Sequence, residues 1–571
     1  MEQLRELVGP GEIASIASYL SSIHRIQGSP GILEVGRAIS DFLSDNGIDS
    51  EIHIFQHDSS LFPYDSDLVA WKIEDSALRI LSPTRMEIST FLSIPTSVVA
   101  HSPPGSFSGE IAILERGRKE KQGFENRILL ARDFSFESYL AAVNGGAQAI
   151  IFYRRTGSPT AFPYFSLFPS HEDLNLMKIP ALTISRLMAE KIEGWIERGR
   201  KVEVEGFVNS KYGEVASIPV VETAFGEDGY EYHLTAHMCH PGLTVNDNIS
   251  GVAGLIAAAL SMKRANLEEK ILNRRLVFLW VPEFSGTIAY LRTAIGRRKI
   301  MGAINLDMIG EIEELSGSSL NFIRPPIHLL SSMEPVLLKE LFRSLPKSRS
   351  FSSPSEIPLR KFWITNYEAG SDHDIYISMG IPAVMINSWP DRFYHSSEDT
   401  MEKFDPRSSI FIGVAALKSA ISNGEDGSLS SYFSLVSGLD LLKASAEAAP
   451  YVRSLYCIKA EELGLSMEGC YGKASNLTIP EPLLKVTMTG YPNNRLMRRK
   501  LSSEDYEKIV ELLESKPWLR TINVLLSSML KWRDVGIEGA RRIAMGELGT
   551  AVDPADMSIL INAWRSLGLI K

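Results

Sequence analysis

Between Gly213 and about Gly424, short apolar runs alternate with helix-spaced segments, and run after run gives way to a histidine or an acid. His233–Ala236, Leu276–Val281 and Ala303–Leu306 have the length and composition of strands, whereas Ser250–Ser261 and Met333–Leu345 have helical spacing. Strands separated by helices imply an α/β sheet with largely parallel strands. Such sheets place ligands outside the carboxyl ends of their strands. At those ends stand His237 and His240 in AHMCHPG, Asp247 in NDNISG, Glu283 after RLVFLWVP, Asp307 after AINL, and His395 in FYHSSEDT.

Each of these residues has an ordinary explanation when taken alone. Asp247 suits a helix amino terminus, His237 or His395 a satisfied loop histidine, and Glu283 or Asp307 an ion pair. Packing does not explain why such groups recur at successive strand ends. Imidazole plus carboxylate is a donor set for Zn²⁺ and related divalent ions, and a carboxylate shared by two ions is a geometry used in amide and phosphate hydrolysis. The sequence therefore predicts a metal site on one rim of the sheet. Other hydrolytic and phosphate motifs are missing: there is no GxSxG, no GxxxxGK and no HExxH, since HEDLN at His171 fails at its fifth position. A Cys239–His240 nucleophile pair is disfavoured because neighbours on a loop rarely face each other.

The 571 residues suggest three or four domains. The second helix of the amino-terminal region, near Leu33–Leu43, puts Ile32, Val35, Ile39 and Leu43 on one face, and an alternating strand SEIHIF follows at Ser50–Phe55. From about Ser93 to Gly206 the pattern changes: SGEIAILERG, an apolar helix Phe136–Val143, a strand Ala149–Tyr153, an aromatic loop through Phe168 and IPALTIS read as a small inserted α/β domain. The aromatic loop Phe162–Phe168 either borders a substrate cleft or packs that domain's core. GEDGSLSS, after Asn423, reads as a linker to a mostly helical remainder. The expected division is a discontinuous body (1–92 and 207–424), an insertion (93–206) and a helical end (425–571).

The net charge of −10, with 44% apolar and 22% charged residues, describes a folded globular chain and argues against a dedicated binder of nucleic acid or anionic membranes. The opening residues read as an amphipathic helix rather than a signal peptide, and GVAGLIAAAL is too short to span a bilayer. Cys239, Cys457 and Cys470 are scattered without CxxC spacing and read as free thiols of a reducing compartment. The expected location is the cytoplasm.

The ordered set AHMCHPGLTVNDNISGVAGL, VPEFSGTIAYL, NLDMIG, GSDHDIYISMGIPAV and FYHSSEDT resembles the M28 metallopeptidases, as does GSPGILEVGRAISDFLSDNGI near the amino terminus. The likeness covers roughly residues 1–425. The inserted segment resembles a protease-associated domain, and the whole is similar to a prokaryotic branch with AHxCHP and a winged-helix-like extension. The resemblance implies a phosphorylase/hydrolase-like mixed sheet flanked by helices, and a zinc-dependent exopeptidase, most simply an aminopeptidase. It implies His237, Asp247 and Asp307 around one ion, with Asp247 bridging to a second near His395, and a substrate or supporting role for Asp372 and His373, just before a predicted strand.

Two departures stand out. The family's Asp two residues after the first His is Cys239 here, leaving His240 as a ligand or orienter. Its Glu-Glu-x-Gly is Pro282-Glu283-Phe284-Ser285-Gly286. Without a gap, Glu283 is the general base, accepting a proton from an ion-activated water and handing it to the leaving amine, and Phe284 replaces a ligand. Shifted by one, Glu283 is the ligand and the base is lost. The gap-free alignment is preferred and predicts one firm metal site with a second weak or empty. Alternative readings are hydrolysis of a non-peptide amide conjugate and an inactive metal-binding regulatory protein.

From Glu481 to Lys571 the chain has 14 basic against 11 acidic residues, with helices expected at Ser503–Lys516, Thr521–Leu530 and Pro554–Leu567. Three helices with short strands fit a winged-helix-like module. Arg498-Arg499-Lys500 reads as a solvated face or a phosphate contact, and the module is open to packing, dimerisation or nucleic-acid binding.

Overall fold

The structure is a computed structural model, and it describes residues 2–571 apart from 57–67, 115–122, 227–228, 269–270, 272–273, 295–297, 346, 350–351, 353–355, 423–427, 469, 471–476, 478–479 and 489. The end of SGEIAILERG and the start of the expected linker lie outside the described residues. In chain order the strands are β1 (Glu51–Gln56), β2 (Val69–Ser82), β3 (Met86–Thr90), β4 (Gly105–Leu114), β5 (Ile128–Arg132), β6 (Ala149–Tyr153), β7 (Ala181–Thr183) and β8 (Glu203–Val215). They continue with β9 (Ser217–Gly226), β10 (Tyr230–His237), β11 (Arg274–Val281), β12 (Ile300–Leu306), β13 (Ser319–Ile323), β14 (Lys347–Arg349), β15 (Glu356–Pro358), β16 (Phe362–Thr365) and β17 (Ala383–Trp389).

Eight of these form the body sheet, in the order β1-β9-β11-β10-β12-β17-β13-β16. Its centre, β11-β10-β12-β17, is parallel throughout, and antiparallel pairs lie on either side, so the sheet is mixed. The central strands are buried along nearly their whole length, as Leu276–Val281 shows, because helices cover both faces. One of these, Gly251–Arg264, is buried from Gly251 to Met262 and packs on the helix Pro406–Ile421, where a Cβ on Gly413 would come within 2.0 Å of the Gly254 carbonyl oxygen. The amino-terminal helix Pro30–Asp45 buries the expected face of Ile32, Val35, Ile39 and Leu43.

A second sheet of seven strands has the order β3-β2-β8-β4-β5-β6-β7. It takes in residues from Val69 to Val215, starting earlier than the expected 93 and ending later than 206. The reason is the antiparallel pairing of β2 with β8, two strands far apart in sequence. The sheet encloses its own apolar clusters, around Ile111, Leu182 and Val204 on one face and Leu129, Phe152 and Tyr139 on the other.

Beyond residue 427 the described secondary structure is helical: Ser428–Lys443, Ala449–Glu462, Asn494–Lys500, Ser503–Ser515, Leu519–Trp532, Ile537–Leu548 and Pro554–Ser566. A single bridge joins Val486 to Ile570. Ser502 accepts from the Asp505 amide and caps the helix it precedes. Two members of the basic run pair with acids of the insertion, Arg498 with Asp173 at 3.0 Å and Arg499 with Glu172 at 2.7 Å.

Cys457 and Cys470 form a disulfide, and among the described residues only Cys239 is a free thiol, buried. This corrects the expectation of free thiols, because the fold brings two cysteines 13 residues apart to within 5.3 Å between Cα atoms. No helix among the described residues is long and apolar enough to cross a membrane.

Candidate metal centre

Four adjacent parallel strands end on one rim. β10 delivers His237 as its last residue, β11 leads through Pro282 to Glu283, β12 to Asp307, and the loop after β17 carries His395. Because the strands run in the same direction, side chains just past their ends converge.

His237, Asp247 and Asp307 are 1%, 4% and 5% exposed. His237 Nε2 lies 3.3 Å from Asp247 Oδ1 and 3.3 Å from Asp307 Oδ1. Asp307 Oδ1 is buried and has no hydrogen bond. On the far side of the same carboxylate, Asp247 Oδ2 is 3.1 Å from His395 Nε2 and 3.6 Å from His240 Nε2. The donor atoms of His237, Asp247 and Asp307 lie within 4.8 Å of one another, as do those of His240, Asp247 and His395. A buried carboxylate oxygen without a donor, next to an imidazole nitrogen and a second carboxylate, is the chemistry a divalent cation satisfies. The residues fit such an ion.

The electrostatics are those of a compressed cluster. Burial opposes ionisation of Asp247, but His240, His237 and His395 outweigh it and hold the carboxyl well below its usual range. Burial likewise works against a charged His237, yet Asp307 and Glu283 raise it well above the ordinary imidazole value. Burial pushes His240 down to about 3.

Glu283 sits at the edge of this cluster, its carboxylate within 4.8 Å of donor atoms of His237, Cys239 and His240. Burial first, then Asp307 and Asp372, raise its carboxyl well above the usual range against the opposing pull of His237. Its backbone is pinned: the Gln27 amide donates to the Glu283 carbonyl at 3.0 Å, and the Glu283 N–H points at Cys239 Sγ at 3.4 Å. Cys239 Sγ also lies 3.7 Å from His237 Nδ1.

Asp372 and His373 lie at the start of the helix His373–Ser378, ahead of β17, and both are fully buried. Asp372 Oδ1 accepts from the Phe284 N–H at 2.8 Å and the Thr287 hydroxyl at 2.7 Å. It fixes the turn that carries Glu283. His373 Nε2 donates to the Glu368 carbonyl at 2.9 Å. In the structure both side chains are enclosed and bonded to neighbouring segments.

Several supporting groups were not singled out from sequence. Asp399 accepts from the Asn246 N–H at 2.7 Å and the Asp247 N–H at 3.0 Å, and so sets the Asp247 backbone. The Asn248 side chain donates to the Leu306 carbonyl at 2.9 Å and accepts from the amides of Gly251 and Met308, tying the end of β12 to the helix behind Asp247. The only advance signals were Asp399's place inside FYHSSEDT and Asn248's inside NDNISG. Tyr164, from the aromatic loop, is buried and meets His240 and His395 edge to face, with ring centroids 5.2 and 5.1 Å apart, and its backbone N–H donates to the His395 carbonyl at 2.7 Å. That loop thus both packs and borders the site. A separate cleft of about 630 Å³, lined in part by Arg37, Trp71, Lys72 and Lys211, lies between the helix Pro30–Asp45 and the strands β2 and β8 and contains none of these donors.

A mixed sheet with acid and imidazole donors gathered at its strand ends is suited to hold a divalent ion on its rim. Residues 219–419 match the sequence pattern of peptidase family M28, and this part of the chain is an M28-type peptidase domain. Among solved structures it is similar to a peptidase M28 precursor from Shewanella amazonensis SB2B, at 15% identity over 74% of this chain and 96% of that one, with a TM-score of 0.51. A structure from Clostridium acetobutylicum is 16% identical over 83% of this chain and 96% of its own, with a TM-score of 0.50. An aminopeptidase from Aneurinibacillus sp. strain AM-1 is 18% identical over 73% and 94%, with a TM-score of 0.47. At these identities the likeness to the Shewanella and Clostridium structures speaks for the fold alone. No curated protein matches the chain in sequence.

Proposed function

We propose that this peptidase is a zinc-dependent exopeptidase, most simply an aminopeptidase, with Glu283 as its general base. The observation that carries this reading is the orphaned Asp307 Oδ1, buried 3.3 Å from His237 Nε2 within the His237–Asp247–Asp307 triad. His237, Asp247 and Asp307 would hold the ion. When bound, it supplies Lewis acidity toward water and the scissile carbonyl.

The chain's own groups do the rest. Glu283, ionised, accepts a proton from the attacking water and returns it to the departing amine, and its raised affinity for protons suits both transfers. Asp372, through the Phe284 amide and Thr287, holds the Glu283 turn against the rim. Tyr164 and Tyr394 pack against His395, with the Tyr394 ring stacked on it at 3.8 Å between centroids.

The test is hydrolysis of aminoacyl reporter amides. Chelation should abolish it and added zinc restore it, and Glu283→Gln should lower kcat by about 10²–10⁴-fold with the metal content unchanged. Undiminished hydrolysis by Glu283→Gln, or by chelated protein, would overturn the proposal.

A further inference from the structure

Phe284 stands where the gap-free alignment expects the third ligand of a second ion. It does not reach into the cluster in any polar sense: its N–H is committed to Asp372, and its ring packs on the apolar core of the body. The second position would then have only the shared Asp247 and His395. The structure supplies another donor from a different strand end. His240 Nε2 is 3.6 Å from Asp247 Oδ2 and 3.3 Å from His395 Nε2, closing a triad of two imidazoles and the shared carboxylate.

Three independent features aim this nitrogen. His240 Nδ1 lies 2.7 Å from the Cys239 carbonyl oxygen. Only an N–H can sit against a carbonyl at that distance, so the neutral ring keeps its proton on Nδ1 and offers the Nε2 lone pair, as backbone carbonyls do for metal-bound histidines. Second, the His240 backbone has φ 131°, a region that a residue with a β-carbon enters only when its surroundings impose it.

The surroundings are the third feature. His240 and Arg25 exchange N–H···O bonds of 3.2 Å each way, and the fully buried Arg25 guanidinium donates to the carbonyls of Pro241 at 2.8 Å and Thr244 at 2.9 Å. Arg25 thus clamps the loop that runs from His237 to Asp247.

Resting on the metallopeptidase reading, we propose that the His240–Asp247–His395 triad is a complete second divalent-metal site, with His240 in place of the carboxylate lost at Phe284. Each oxygen of Asp247 then serves one triad, Oδ1 facing His237 and Oδ2 facing His240 and His395. The two sites differ in kind. The first has one imidazole and two carboxylates, the second two imidazoles and one carboxylate, so the second favours zinc, cobalt, nickel or copper over magnesium and manganese.

Metal counting tests this without reference to activity. Protein stripped of metal and titrated with Zn²⁺ should take up two equivalents, by calorimetry and by elemental analysis after gel filtration. His240→Ala and His395→Ala should each take up one, and Asp307→Asn should lose the other. With Mg²⁺ competing in excess, the equivalent that depends on His240 should be the one retained.

Wild type that binds one equivalent overturns this proposal and leaves the metallopeptidase reading standing; wild type that binds none overturns both. Two equivalents in a folded His240→Ala also overturn it. Should that variant fail to fold, the wild-type stoichiometry and His395→Ala decide.

Discussion

Two sets of buried charges in this protein are treated in opposite ways. Where the helical end meets the body, every charge is answered. Arg324 donates to Asp440 at 2.7 and 2.9 Å, to Asn366 at 2.6 Å and to Tyr456 at 3.1 Å. Nearby, Glu547 accepts from the amides of Ile327 and His328 and from His328 Nδ1 at 2.7 Å, while the other nitrogen of that ring meets Ser528 at 3.1 Å. None of these four residues, Arg324, Asp440, His328 and Glu547, has a buried polar atom without a partner. At the strand-end rim, by contrast, Asp307, Asp372 and Glu311 each keep one oxygen unanswered. A saturated network holds chain to chain. An unsaturated one is built around something the chain does not itself provide.

This contrast predicts different responses to mutation. Asp247→Ala removes the carboxylate common to both triads. Zinc content should fall to background and peptide hydrolysis with it, while urea unfolding of the metal-free protein moves little. Retained zinc would break the contrast.

Arg324→Met should do the reverse. Removing one partner of a buried pair leaves Asp440 uncompensated, at a cost of about 3–5 kcal/mol in urea unfolding, with zinc content unchanged. A smaller effect is expected of Asp399→Asn, which places an amide donor against one of the two N–H groups that set Asp247. Zinc affinity should weaken by about 10–100-fold, read by competition with a chromophoric chelator.

The smallest effect concerns pH. Glu334 is buried near the helical end, and burial pushes its carboxyl up to about 8, against the opposing pull of the Ser331 amide, Arg324 and Lys459. Its folded-state affinity for protons exceeds that of the unfolded chain. Its contribution to stability is therefore full below the ordinary glutamate value and is lost as pH rises through about 8. Glu334→Gln should flatten that decline in a series of urea melts, and an unchanged slope would show that Glu334 is not the group responsible.

What could be read in the sequence follows from the same physics. Apolar runs buried on both faces of a parallel sheet are continuous and conspicuous, so β10, β11 and β12 were legible, and with them the groups that follow them. Pairings between distant segments were not. β2 mixes buried and exposed residues, and nothing local reveals that β8 is its partner. His240 was open as ligand or orienter because its role depends on a backbone conformation imposed by Arg25, more than two hundred residues away in sequence. The Cys457–Cys470 bond was missed for a related reason: without a motif, spacing carries no information about which sulfurs meet. Arg498 and Arg499 looked like a basic face until the fold set Asp173 and Glu172 against them.

The central claim is that the rim is unsaturated because it holds metal. Diffraction from zinc-loaded crystals, recorded on both sides of the zinc absorption edge, tests it most directly. The account predicts an anomalous peak bounded by His237, Asp247 and Asp307. Ordered side chains there with no anomalous density would contradict it.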